Sequence, residues 1–158
     1  MDSEVSLSMN RAQNEIFSAQ ALKRLSEEED LKKIFNFPPE TTFFNGVIEH
    51  SYYAIFNCAK AYLLSKNIHL KSKQGQHQQV YFEFKKIVEK GLIETDLLKV
   101  YDDVKIKAEV LLEILKKEKE KRNTFTYETL PRVNKKPAED SLDNAILFVS
   151  HIKAFLIE

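Results

Sequence analysis

The stretch Val47 to Leu64, VIEHSYYAIFNCAKAYLL, carries two interleaved stripes at helical spacing. Ser51, Ala54, Cys58, Ala61 and Ser65 recur at steps of three and four, forming a stripe of small residues. Glu49, His50, Tyr53, Asn57 and Lys60 fall beside them, forming a polar and aromatic stripe. Small residues let a second helix approach closely. Polar and aromatic groups on the same helix need partners, a cleft or a subunit interface. The pattern therefore predicts a central helix running to about Lys66, with candidate functional residues beside its packing face.

The remaining apolar positions predict further helices. Ala12, Ile16, Ala19 and Leu22 give a first helix from about Leu7 to Glu28, with the acidic run EEED ending the pattern. The segment from Phe35 to Thr42 contains Pro38-Pro39 and reads as a connection, because consecutive prolines stop a helix. NIHLKSKQGQ reads as a polar loop. A shorter helix follows from about His77 to Lys90, with Val80, Phe84 and Ile87 inward and Gly91 as its cap. Leu97, Tyr101, Val104, Ala108, Leu111 and Leu115 alternate steps of four and three, a narrow seam suited to bundle packing. TFTYETLPRVNKKP breaks the period. A last helix opens near Pro137 and turns Ala138, Leu142, Ala145, Val149, Ile152 and Leu156 to the core. The expectation is an all-α chain, an antiparallel four-helix bundle with one additional short helix.

Composition narrows this. A chain of 158 residues suits a single domain, residues 1–158, with a sizeable core. Three glycines and four prolines are too few for a turn-rich sheet protein. Lys plus Arg equals Asp plus Glu at 24 each, so no global charge points to nucleic acid. Cys58 is the single cysteine, which excludes an intramolecular disulfide and a cysteine-based zinc site. It reads as a small packing residue in a reducing compartment. MDSEVSLS has no apolar signal core, and the apolar tail from Ala145 to Ile157 is interrupted by His151 and Lys153. That tail falls short of the about 20 apolar residues a membrane helix needs. A cytoplasmic protein without membrane partners is expected.

Candidate chemistry is sparse. The seam steps on from Leu115 to Glu118 and Arg122, which puts Arg122 in phase with the bundle where helix gives way to loop. An arginine there can present its planar fork of donors to a phosphate. Asn123 and Tyr127 follow in RNTFTYE. The plainer reading is a solvated helix end, KKEKEKR, with Glu118 and Arg122 as an i,i+4 pair. His50 and His77 fall on different expected helices, and no HExxH or close histidine pair offers a metal site. A lone histidine beside Tyr53 and Asn57 is more often a hydrogen-bonded interior or interface residue than a catalyst. Lys60, Lys66, Lys71, Lys73, Lys85 and Lys86 make the middle of the chain basic, which serves solvation or the steering of RNA. Neither a glycine-rich phosphate loop nor a nucleophile elbow is present.

HSYYAIFNCAKAYLLSKNI, a polar loop with GQH, and RNTFTYE before a final helix together resemble a HEPN domain of prokaryotic type, from about Met9 to Phe155. The run Ser51-Tyr52-Tyr53-Ala54-x-Phe56 carries most of the resemblance. It implies a helical bundle that forms a homodimer. It also implies kinship with metal-independent ribonucleases that serve as toxins, paired with a nucleotidyltransferase antitoxin, or in defence systems. The family signature is an arginine, four to six residues, then a histidine, in a cleft at the dimer interface. Arg122 and Asn123 match its start, and Tyr127 stands where the histidine would be. Thr129 stands where some toxins carry a tyrosine that the partner modifies.

A phenol titrates near about 10 and is a poor base at neutral pH. The resemblance therefore implies RNA or nucleotide binding with weak or absent nuclease activity. Arg122, Asn123, Tyr53, His50 and Asn57 are the ligand-binding candidates, and no metal or cofactor is expected. Two other readings stay open. One is an active endoribonuclease toxin, with Arg122 on the phosphate and Tyr127, His50 or His77 moving the proton. The other is a non-catalytic dimerisation or interaction module built on the Tyr52/Tyr53 helix.

Overall fold

A computed structural model describes residues 2–72, 74–106, 109 and 135–157. The described residues form an all-α fold. Helix α1 spans Ser3–Glu27, α2 Glu29–Ile34, α3 Phe44–Ser65 and α4 Gln76–Glu89. Residues 95–106 are helical and form α5. Helix α6 spans Lys135–Ile157. The continuation of the α5 seam through Ala108, Leu111 and Leu115 to Glu118 lies outside the described residues.

Helix α3 is the central element and packs against α1, α4 and α6. Its small stripe explains why. Ser51, Ala54, Cys58 and Ala61 are all fully buried, and the Cys58 thiol reaches the Met9 sulfur of α1 at 3.8 Å. Ile48, Ile55 and Leu63 add large buried side chains on the flanks of that stripe. Each such burial is worth roughly 1.5–3 kcal/mol relative to exposure. Glycine extends the close approach by one turn: a Cβ on Gly46 would stand 2.7 Å from the Leu22 side chain of α1.

Cross-contacts give the helix directions. Along α1 and α3, Ser26 meets Phe43, Glu15 meets His50 and Met9 meets Cys58, so the two run antiparallel. Lys135 at the start of α6 approaches Glu27 at the end of α1 at 3.9 Å, and Phe155 near its end meets Tyr62. Helix α6 therefore also opposes α1. Tyr101 meets Phe148 and Asp103 meets Asn144, so α5 opposes α6. Helices α1, α3, α5 and α6 thus alternate in direction, and α4 lies on the crossover from α3 to α5. Leu97, Tyr101 and Val104 on α5 and Ala138, Leu142, Ala145, Val149 and Ile152 on α6 are buried as their spacing requires. Leu156 is partly buried.

Helix ends follow local chemistry. Gly91 takes a left-handed conformation (φ 70°), with Leu92 N–H donating to the Ile87 carbonyl and Gly91 N–H to that of Val88. This is the paired hydrogen-bond pattern of a Schellman terminator. Asn67 (φ 58°) ends α3 and Asn36 (φ 56°) ends α2 with the same pattern. Asparagine is among the few non-glycine residues that enter this region readily.

The connection after α1 differs from its sequence reading. EEED ends one helix and starts another. Glu28 is extended (φ −94°, ψ 110°), and Glu29 and Asp30 form the acidic first turn of α2. Acidic residues are favourable beside the positive end of a helix dipole. Lys32 is buried in this short helix, and its ammonium donates to the Pro39 carbonyl at 2.7 Å.

Helix α3 has no side-chain cap of its own at Phe43, and α1 supplies one. The Phe43 N–H donates to Ser26 Oγ, which itself donates to the Leu22 carbonyl, both at 2.7 Å. Ser26→Ala removes this bridge and should destabilise the fold by about 1–2 kcal/mol, read as a lower urea midpoint. Tyr101 offers the opposite case, because its buried hydroxyl has no partner among the described residues. Tyr101→Phe removes an unsatisfied polar atom and should leave the urea midpoint unchanged or raise it.

Candidate functional site

Burying the small face of α3 turns its second stripe outward. Glu49 is exposed, and His50, Tyr53, Asn57 and Lys60 are half-buried. Arg122, Asn123 and Tyr127 lie outside the described residues.

His50 points across the α1–α3 seam, where its Nδ1 lies 2.5 Å from a carboxylate oxygen of Glu15. An ionised carboxylate only accepts hydrogen bonds, so Nδ1 carries the proton. Asn57 turns back onto its own helix, donating to the Tyr53 carbonyl at 2.9 Å. Tyr53 packs its ring edge-on to His77 of α4, with centroids 5.4 Å apart. His50 and Tyr53 share a helix face yet engage different neighbours, on α1 and α4 respectively.

His77 is the centre of an aromatic group. It stacks on Phe56 at 4.0 Å between centroids and on Tyr52 at 5.5 Å, and its Nδ1 is 3.0 Å from the Tyr52 hydroxyl. Burial lowers its proton affinity below the ordinary imidazole value. A neutral His77 can then accept from the Tyr52 hydroxyl. Burial, and secondly the Glu109 carboxylate, pushes the Tyr52 phenol up to about 12. The Tyr81 hydroxyl donates to Asp102 at 2.5 Å, and that hydrogen bond is the main reason its phenol rises to about 12. Tyr101, buried among Tyr81, Phe84 and Phe148, is raised well above 10, first by burial. All three phenols stay protonated at neutral pH, and Tyr52 and Tyr81 serve as hydrogen-bonding groups rather than bases.

Cys58 is likewise inert. Its thiol is fully buried and burial raises its pKa far above the ordinary range, so the thiolate needed for nucleophilic or redox chemistry does not form. The described residues include no cluster of three or more His, Cys, Asp or Glu able to hold a metal ion. None of the described helices is long and apolar enough to cross a membrane.

Glu15 was not legible as a site residue. It follows Ala12 by three positions on the flank of an apolar stripe, and only the α1–α3 pairing brings it to His50 across 35 positions of sequence. His77 reads from sequence as the start of a helix, and it is the second residue of α4. Its packing against Tyr52, Tyr53 and Phe56 is a tertiary fact with no local signal.

No protein-family model matches the chain, and comparison with curated proteins and with solved structures gives no significant match.

The state of His77 sets a pH dependence. Its folded-state pKa lies below the ordinary value of 6.5, so between the two the unfolded chain binds more protons. The stabilisation from keeping His77 neutral is complete above about pH 6.5 and is lost as pH falls below it. Wild type should therefore lose more stability than His77→Phe when urea unfolding is compared at pH values above and below this window.

Proposed function

We propose that this chain is a HEPN-like helical bundle that works as a cytoplasmic homodimer and binds RNA or a nucleotide-like ligand. Its setting is a toxin–antitoxin or defence system, with a nucleotidyltransferase as the implied partner protein. Nuclease activity in this reading is weak or absent. The observation that carries it is the sequence around Arg122: an arginine and amide suited to a phosphodiester, with Tyr127 in the place of the imidazole that cleavage would use. The all-α bundle is compatible with that family. His77 supports the non-catalytic side, because its ring packs on Phe56 and Tyr52 and its Nδ1 is hydrogen-bonded.

The second reading, an active metal-independent endoribonuclease, draws on a different observation. The Glu15 carboxylate orients His50 through Nδ1, which leaves Nε2 as the acceptor on a half-exposed ring. A carboxylate-oriented imidazole is the arrangement that proton transfer requires. It is also what an ordinary surface ion pair looks like, which is why binding is the preferred reading.

The test measures affinity and cleavage separately with single-stranded RNA. Arg122→Ala should weaken binding about tenfold or more, the scale of a lost charge-assisted contact, with little or no cleavage by either protein. Equal affinity of wild type and Arg122→Ala removes Arg122 from the site. Efficient cleavage by wild type that His50→Gln abolishes replaces the first reading with the second.

A further inference from the structure

The basic middle of the chain gains a definite shape at the loop between α3 and α4. A surface pocket of about 370 Å³ opens there, with His69, Leu70, Lys71, Gln79 and Phe82 in its walls. Glu83 and Lys86 complete the lining and form an exposed ion pair at 2.7 Å. Such pairs hold their partners weakly, so Lys86 can exchange Glu83 for a bound anion. Phe82 is 48% exposed, although its neighbours Val80 and Phe84 are fully buried on the same helix. The volume lies within the range of small-ligand sites.

The loop is held in place rather than merely draped over this pocket. Gln79 Oε1 accepts from the Lys71 N–H at 3.1 Å, and its Nε2 donates to the Gln74 carbonyl at 2.8 Å and Ser72 Oγ at 3.3 Å. Gly75, left-handed at φ 64°, lets the chain turn from that loop into α4, and its carbonyl accepts from the Gln79 N–H at 3.0 Å. One glutamine thus fixes the backbone that carries Lys71 at the pocket wall.

We infer that this pocket binds a nucleoside phosphate unit, with the base against the exposed Phe82 ring and the phosphate held by Lys71 and Lys86. Aromatic side chains accept any base through its π-face, and lysine binds phosphate as a compact point charge. Two cationic side chains against one carboxylate favour an anion. The unit can come from a free mononucleotide or from a strand of single-stranded RNA. This site stands on the pocket and its loop and does not depend on Arg122.

Calorimetric titration of the full chain with adenosine monophosphate, adenosine, inorganic phosphate and a short oligoadenylate tests it. Phe82→Ala should weaken adenosine monophosphate and adenosine alike, by about tenfold, the scale of one lost base stack. Lys71→Ala should weaken adenosine monophosphate and leave adenosine unchanged, and Phe82→Trp should restore what Phe82→Ala loses. Tighter binding of the oligonucleotide than of the mononucleotide, still lost on Phe82→Ala, assigns the site to a strand. The reverse order assigns it to a free nucleotide. The inference is overturned if neither binds at millimolar concentration, or if binding is indifferent to Phe82→Ala and Lys71→Ala in folded protein. Binding that depends on Arg122 but not on Phe82 overturns this pocket while leaving the Arg122 reading intact.

Discussion

The close approach of α1 to α3 is the constraint on which the remaining structure depends. It exists because Ser51, Ala54, Cys58 and Ala61 present almost no side-chain bulk along one face of α3. Larger residues there would force the helices apart and forfeit the dense packing that stabilises a small bundle. The approach also brings Ser26 Oγ to the uncapped start of α3 and Glu15 to His50. A cap and a side-chain hydrogen bond, both between α1 and α3, are thus consequences of where small residues fall in one helix.

Once that face is committed to packing, the helical period fixes what the neighbouring face does. His50, Tyr53, Asn57 and Lys60 cannot be buried with it, and each finds a separate partner: Glu15, His77, the backbone of α3 and Gln76. The stripe that looks like one site in sequence is divided among three elements in space. Histidine is used structurally in the α3–α4 contact, where the half-buried His77 packs on Tyr52, Tyr53 and Phe56 and its proton affinity is lowered by burial.

Much of the architecture was legible because it is written in local period. The burial of α3, the α5 seam from Leu97 to Val104 and the core face of α6 follow from spacing alone, and Gly91 announces its terminator. Helix α2 was not legible, because an acidic run serves equally as the end of one helix and the first turn of the next. Asn36 and Asn67 act as terminators without the glycine that would have marked them. The candidate site was legible only in part. Residue types at His50, Tyr53 and Asn57 suggested polar work, but their partners come from other helices. The Gln79 staple is similar: its role depends on a loop folding back over the first turn of α4, which no periodicity encodes.

The central claim is that this bundle keeps α3 for packing and offers nucleotide-binding surface elsewhere. The most direct test is an NMR titration of isotope-labelled protein with a short single-stranded RNA. The account predicts amide shift changes at Arg122, Asn123 and Tyr127 and around Lys71, Gln79 and Phe82, with Ala54, Cys58 and Ala61 unmoved. An unchanged spectrum at millimolar RNA, or changes centred on the buried face of α3, would contradict it.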